Sequence, residues 1–238
     1  MAICLFVLAI SVNCQAQSQM RDWQTMRNEL VEEITRDAEQ YLGGATFSPS
    51  VLEAISKVER HKFVPENLWP SAYENHPLPI GDGQTISQPF IVALMTDLLK
   101  VGAASRVLEL GTGSGYQAAV LAELVKTVYS IEIVENLAER ARHTLMLLGY
   151  GNVHVRHGDG TQGWPEHAPF DAIIVTAAGI EIPQSLIDQL AAGGRLVMPV
   201  GSVHAVQQLK VLKKNQDGTM TISDVLPVRF VPITETVR

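Results

Sequence analysis

The run Val107-Leu108-Glu109-Leu110 leads directly into Gly111-Thr112-Gly113-Ser114-Gly115, and Tyr116 opens an apolar stretch beyond it. A hydrophobic strand that ends in glycines and feeds a helix brings free backbone N–H groups and open space to one point, which is what a nucleotide or nucleoside needs. Spacing separates the alternatives. A dinucleotide fingerprint would put its third glycine at position 116, which is Tyr116, and no G-x-x-x-x-G-K-[ST] phosphate loop occurs. An ordinary βα turn would use the same glycines, so a second signal is required. Glu132 supplies it, about 20 residues after the first glycine and near the end of the next strand, where a carboxylate accepts both hydroxyls of a ribose lacking a 2′-phosphate. Asp159, between Gly158 and Gly160 after the following strand, can accept from an exocyclic amine such as that of adenine; its other reading is a plain turn residue. Together these residues predict a site for an adenosine with a small charged substituent, which fits S-adenosylmethionine (AdoMet).

Metal chemistry finds no ligand set in the sequence. His154 and His157 stand three apart on a strand and so face opposite ways, and His61, His76, His143, His167 and His204 show no ligand spacing. The two cysteines, Cys4 and Cys14, both fall near the N-terminus, leaving no disulfide framework, no Cys-based zinc site and no cysteine nucleophile for C5-cytosine chemistry. Adenine amino-methylation would want an Asn/Asp-Pro-Pro-aromatic motif, which is absent, and a net charge of −7 opposes phosphate-driven binding, so no nucleic-acid partner is expected.

The elements that must position the site follow from periodicity. Trp23, Met26, Leu30, Ile34, Ala38 and Tyr41 predict a helix with one apolar stripe, stopped by Gly43 and Gly44. A second helix starts around Pro49 with Leu52, Ile55 and Val58 inward, and a third covers Phe90 to Lys100 behind Pro89. Between them Phe63 to Pro89 reads as a long irregular stretch, of a length usually reserved for function. From Arg106 onward strands at 106–110, 128–133, 153–157, 171–176 and 195–200 alternate with helices at 116–126, 135–148 and 183–190. Such alternation predicts βαβ units on a mostly parallel sheet with helices on both faces. Segments 207–212 and 219–226 flank Asp217-Gly218, a hairpin signal, so the sheet should end in antiparallel strands. The fold class expected is α/β and Rossmann-like, over residues 20–238: N-terminal helices and substrate loop at 20–100, nucleoside-binding core at 101–238. A hydrophobic fraction of 46% with 18% charged residues suits one such globular domain.

Residues Ala2 to Val12 form an apolar run broken only by Ser11, too short to span a bilayer and lacking the basic residues of an export signal. Segment 1–19 therefore reads either as a signal-like leader or as the product of an upstream start codon, with Met20 or Met26 as the true start. The expectation is cytoplasmic activity, with periplasmic export as the alternative.

Glu109 to Tyr116 resembles the first motif of class I AdoMet-dependent methyltransferases. The stretch from Val64-Pro65 through Ala72-Tyr73-Glu74 to Pro77-Leu78-Pro79-Ile80-Gly81-Asp82-Gly83-Gln84-Thr85-Ile86-Ser87-Gln88-Pro89 resembles the signature of protein-L-isoaspartate O-methyltransferases. So do Gly158-Asp159-Gly160, Phe170-Asp171-Ala172-Ile173, Ile182-Pro183 and Gly193-Gly194-Arg195-Leu196; the likeness runs from about Asn28 to Thr234. Departures are the N-terminal segment, Asp82 where an apolar residue is commoner, and Gly179-Ile180 before Glu181 where proline is usual.

The resemblance implies methyl transfer from AdoMet to the α-carboxyl of L-isoaspartyl residues, or the side-chain carboxyl of D-aspartyl residues, in damaged proteins and peptides; the ester then cyclises to succinimide unaided. It implies Ser87 as the active-site residue, Thr85, Ile86 and Gln88 as the rest of the substrate loop, and cofactor contacts from Glu109, Gly111, Thr112, Gly113, Ser114, Gly115, Glu132, Ile133, Gly158, Asp159 and Thr234. No metal, no stable membrane association and a monomer are expected. A carboxylate nucleophile has a pKa near 4 and is already ionised at neutral pH. Orientation rather than a strong base then suffices. Ser87 has a second reading as the cap of the helix behind it. A small-molecule O-methyltransferase or a non-catalytic AdoMet-binding module would share the loop, although the latter would be expected to have lost Ser87 or the cofactor acids.

Overall fold

The computed structural model describes residues 23–202 and 205–233. Segment 1–19, His204 and Thr234 lie outside the described residues. Seven strands form one sheet in the order β5-β4-β3-β6-β7-β8-β9: β3 (Arg106–Leu110), β4 (Thr127–Glu132), β5 (Val153–His157), β6 (Phe170–Val175), β7 (Leu190–Val200), β8 (Gln207–Lys214) and β9 (Met220–Val228). The pairs from β5 to β7 are parallel, and β8 and β9 are antiparallel additions at the edge. Strand order reverses between β3 and β6. Ligands of open α/β sheets bind at that reversal, beyond the carboxyl ends of the strands.

Period-2 alternation sorts the strand side chains between two cores. Val107, Val128, Ala172, Ile174 and Val197 face one side, where α1 (23–41), α2 (Pro49–Lys57), α3 (Pro89–Leu99), α4 (Tyr116–Ala122) and α5 (Glu135–Leu147) pack. Leu108, Leu110, Ile131, Ile173, Val175 and Leu196 face the other, covered by the short α6 (Gln184–Gln189) with Trp164, Ile182 and Ile187. Both faces carry helix, as expected, but very unequally.

Several boundaries differ from the sequence expectation. Leu30, Ile34 and Ala38 are buried on α1, whereas Tyr41 at its end is 63% exposed and meets Phe90 edge-on. On α2 the buried residues are Val51, Ala54 and Ile55; Leu52 is only partly covered and Val58 is buried just past the helix end. Helix α4 stops at Ala122 rather than Lys126.

The largest difference is the stretch from Phe63 to Pro89, which is ordered. It holds the 3₁₀ turn Glu66–Ser71 and a hairpin of β1 (Leu78–Gly81) and β2 (Gln84–Ile86). Asp82 (φ 53°) and Gly83 (φ 72°) make the tight turn, an Asp-Gly signal of the kind that marks 217–218. Its strands are too short for periodicity to reveal. Fully buried Arg60 pins the region from beneath: Nε donates to Ala72 O (2.9 Å), Nη2 to His76 O (3.4 Å), and the guanidinium lies over the Tyr116 ring.

His61 closes this layer against α1. Its ring stacks on Trp23 at 4.4 Å and Nδ1 lies 2.7 Å from Tyr73 Oη. Burial pushes its pKa down to about 4. Folding thus favours neutral His61, and the associated stability, full above pH 6.5, should drain away as pH falls from 6.5 to about 4. Allowing for partial solvation, the loss is about 1–2 kcal/mol. Urea titrations of the wild type and His61→Gln across that window check it; equal pH slopes would show that His61 contributes nothing.

Candidate active site

The glycine loop leaves the carboxyl end of β3 with Gly111 N–H donating to Ile131 O (2.8 Å) and Gly115 N–H to Thr112 O (2.8 Å). Gly111 has φ 91°, and a Cβ there would stand 2.5 Å from Thr176 Oγ1. That hydroxyl shares its one hydrogen between Gly111 O (2.7 Å) and Leu110 O (2.9 Å), so the side chain just past β6 ties down the loop after β3.

Glu132, the last residue of β4 and 5% exposed, grips the same loop from the other side. Oε2 accepts from Gly113 N–H (2.7 Å) and Oε1 from Val134 N–H (3.0 Å). A carboxylate has about four lone-pair sites, so each oxygen can still accept one ligand hydroxyl. The acid therefore shapes the loop as well as facing the cavity.

The inner cavity at the strand reversal is lined by Gly111, Thr112, Gly113, Ser114, Glu132, Ile133, Gly160, Thr161 and Thr176, with Val231, Pro232 and Ile233 from beyond β9. Thr85, Ile86 and Ser87 reach it from the hairpin. The hairpin is held over the loop by Arg140 Nη1 donating to Ile80 O (3.1 Å) and by Asn136 Nδ2 donating to Asp82 Oδ2 (3.0 Å). Asp82, the departure noted in the sequence, is thus an anchor to α5.

A second, more open groove of about 690 Å³ adjoins the first. Pro77, Gln88, Ile91, Val206 and residues 227–231 line it, and it shares Thr85, Ser87, Thr176 and Val231 with the inner cavity. Ser87 stands where the two meet. Its capping role fails: the N-cap of α3 is Gln88, with no side-chain cap bond, and Ser87 makes no hydrogen bond to the described residues. Neighbouring Asn75 holds the segment instead, accepting from Phe90 N–H (3.0 Å) and donating to Asp37 (2.8 Å).

Four residues expected at the cofactor lie off the inner cavity. Gly115 caps α4 and packs against Ala141 and Leu145 of α5. Asp159 caps a 3₁₀ turn, its Oδ1 accepting from Thr161 N–H (2.8 Å) and Oγ1–H (2.7 Å); Asp159 and Gly158 sit behind Gly160 and Thr161, which line the wall instead. Glu109 is fully buried under the loop, because period 2 puts it on the same side of β3 as Val107. Its Oε2 accepts from Ser130 Oγ–H (2.5 Å), and Ser130 Oγ lies 2.5 Å from Thr112 Oγ1. Burial pushes Glu109 up to about 8, against the Ser130 bond and with help from the charge of Glu132. Gln88 belongs to the outer groove only. Thr234 lies outside the described residues; Ile233, which precedes it in the sequence, lines the wall. Among residues not singled out in the sequence, Thr176 matters most; its position directly after a central strand was the available signal. No group of three His, Cys, Asp or Glu able to hold a metal occurs among the described residues.

Comparison with known proteins places these observations. The model of the protein-L-isoaspartate(D-aspartate) O-methyltransferase family matches residues 27–238. The protein-L-isoaspartate O-methyltransferase 2 of Syntrophobacter fumaroxidans is 57% identical over 211 residues, 87% of this chain and 85% of that protein. Among solved structures, a protein-L-isoaspartate O-methyltransferase superposes with a TM-score of 0.77 at 28% identity, covering 89% of this chain and 67% of that one. A Plasmodium falciparum protein named as such an enzyme, in complex with S-adenosyl-L-homocysteine, superposes with a TM-score of 0.73 at 26% identity, covering 88% and 98%.

Proposed function

The chain belongs to the protein-L-isoaspartate(D-aspartate) O-methyltransferase family, and on that premise we propose how its residues carry the reaction. The reaction is AdoMet-dependent methyl esterification of isoaspartyl residues in damaged proteins. AdoMet supplies an electrophilic methyl group on a sulfonium. The chain's part is to hold that methyl in line with a carboxylate oxygen.

The observation that carries the assignment of roles is the meeting of two cavities at Ser87. In this reading the inner cavity takes AdoMet. Glu132 accepts the ribose hydroxyls with its remaining lone pairs, Ile133 and Thr161 flank the purine, and Gly111 to Ser114 leave room for the amino-acid end. Thr234, which follows Ile233 in the sequence, is given its cofactor role by the family resemblance alone. The outer groove takes the peptide, and its size suits a chain segment better than a small phenol. Ser87, with an uncommitted hydroxyl, donates to one oxygen of the substrate carboxylate and leaves the other facing the methyl. Thr85 and Gln88 line the peptide's path, and Ile86 closes the floor. No proton need be removed from an ionised carboxylate, so Ser87 needs no base to assist it.

Ser87→Ala should retain most AdoMet affinity and lose turnover by roughly 10- to 100-fold, the worth of one hydrogen bond to a charged group. Methyl transfer to an isoaspartyl peptide and its aspartyl twin, with calorimetry for AdoMet, reads both quantities. Wild-type turnover in the variant would remove Ser87 from the chemistry, and equal labelling of the twins would remove the isoaspartyl substrate.

We place the reaction in the cytoplasm, where AdoMet is made. Among the described residues no helix is long and apolar enough to cross a membrane.

A further inference from the structure

Glu109 Oε1 is a buried carboxyl oxygen with no hydrogen-bond partner, and the roles assigned above leave Glu109 unused. The other oxygen starts a chain of three buried groups, Glu109 Oε2, Ser130 Oγ and Thr112 Oγ1, with 2.5 Å between successive members. The last member lies in the glycine loop and lines the inner cavity. Each hydroxyl owns one hydrogen, so the chain can run in only two senses. With the carboxylate ionised, Thr112 donates to Ser130 and Ser130 to Glu109, and Thr112 turns lone pairs towards the cavity. With a proton on Oε2, both hydroxyls reverse, and Thr112 turns its O–H towards the cavity. Oε1 offers a proton no acceptor, whereas a proton on Oε2 has Ser130 Oγ to donate to, so protonation goes to Oε2 and changes the polarity offered to the ligand with it.

We propose that the Glu109–Ser130–Thr112 chain reads the charge of the bound nucleoside: ionised and acceptor-presenting with a sulfonium ligand, neutral with the uncharged thioether left after methyl transfer. The proposal rests on the AdoMet reading of the inner cavity. A cation in a site of low dielectric favours the charged form of a nearby acid, and loss of that cation withdraws the support. Within the sheet Glu109 is flanked in register by Ser130 on β4 and Ile174 on β6, and Glu132 is the other charged group acting on it. Burial holds the carboxyl near 8, so at pH 7 it is neutral before the ligand arrives and has a proton to give up to the solvent.

The test is calorimetry on the full chain at pH 7.0, in phosphate and in Tris, titrating AdoMet and S-adenosylhomocysteine. Binding of AdoMet should release about 0.5–1 proton and binding of S-adenosylhomocysteine close to none, by linkage. The ratio of AdoMet affinities, wild type over Glu109→Gln, should rise up to about tenfold per pH unit below pH 8 and level off above it. The ratio is used because the ligand's own amino group titrates in this range. Equal proton counts for the two ligands, or a flat ratio, would overturn the proposal. The proton count needs no variant, so a misfolded Glu109→Gln leaves it decisive. Failure of the wild type to bind either nucleoside would overturn the cofactor reading itself, and the proposal with it.

Discussion

Replacing Glu132 by alanine is expected to weaken AdoMet binding by about 3 kcal/mol, roughly 150-fold. One hydrogen bond to a charged group accounts for about 1.5–3 kcal/mol. Here the carboxylate also accepts from Gly113 N–H and Val134 N–H, so its removal strips two half-buried donors of their acceptor besides losing the ribose contacts. Glu132→Gln keeps the shape and one acceptor oxygen, and should fall between the wild type and alanine. Calorimetry with AdoMet, beside thermal unfolding to confirm that the variants fold, decides the matter. Unchanged affinity in a folded Glu132→Ala protein would take Glu132 out of the site.

The second large effect is Gly111→Ala against Gly113→Ala. At Gly111 the backbone lies at φ 91°, and the added methyl would meet Thr176 Oγ1 at 2.5 Å, displacing the hydroxyl that clamps Leu110 O and Gly111 O. Backbone strain of about 1–3 kcal/mol and loss of the clamp should together cost more than 100-fold in AdoMet affinity and lower Tm by several degrees. At Gly113 the backbone is at φ 54°, a region open to other residues at about 1–2 kcal/mol, and the nearest atom to a Cβ is Ile80 Cδ1 at 3.5 Å. The two substitutions are chemically identical and two residues apart. Comparable losses from both would mean that the close approach of Thr176 is unimportant.

The glycine loop and Glu132 were legible because their signals are local: a strand, a turn without side chains, and an acid at the next strand's end all follow from neighbouring residues. The hairpin over the loop was not read, although Asp82-Gly83 carried the same turn signal as Asp217-Gly218. Its strands of four and three residues have no periodicity to measure, and they stay in place through Arg140 and Asn136 of α5, more than fifty positions away.

The alternation of strands and helices and the glycine spacing that excludes a dinucleotide pointed to an α/β fold with an AdoMet-type nucleoside site, and the resemblance of the segment from Gln84 to Pro89 to the isoaspartate methyltransferase signature pointed to the family. Which side chains line the inner cavity was decided only by the fold. Asp159 turned its carboxylate to its own turn, Glu109 went beneath the loop, and Thr176 came in beside Gly111 from a strand more than sixty residues later. A residue's type and its alternation along a strand are written in the sequence. The partner that its polar atoms find depends on which distant strands lie side by side, and burial makes that choice strict, since a polar atom removed from water must bond to whatever the packing brings within reach.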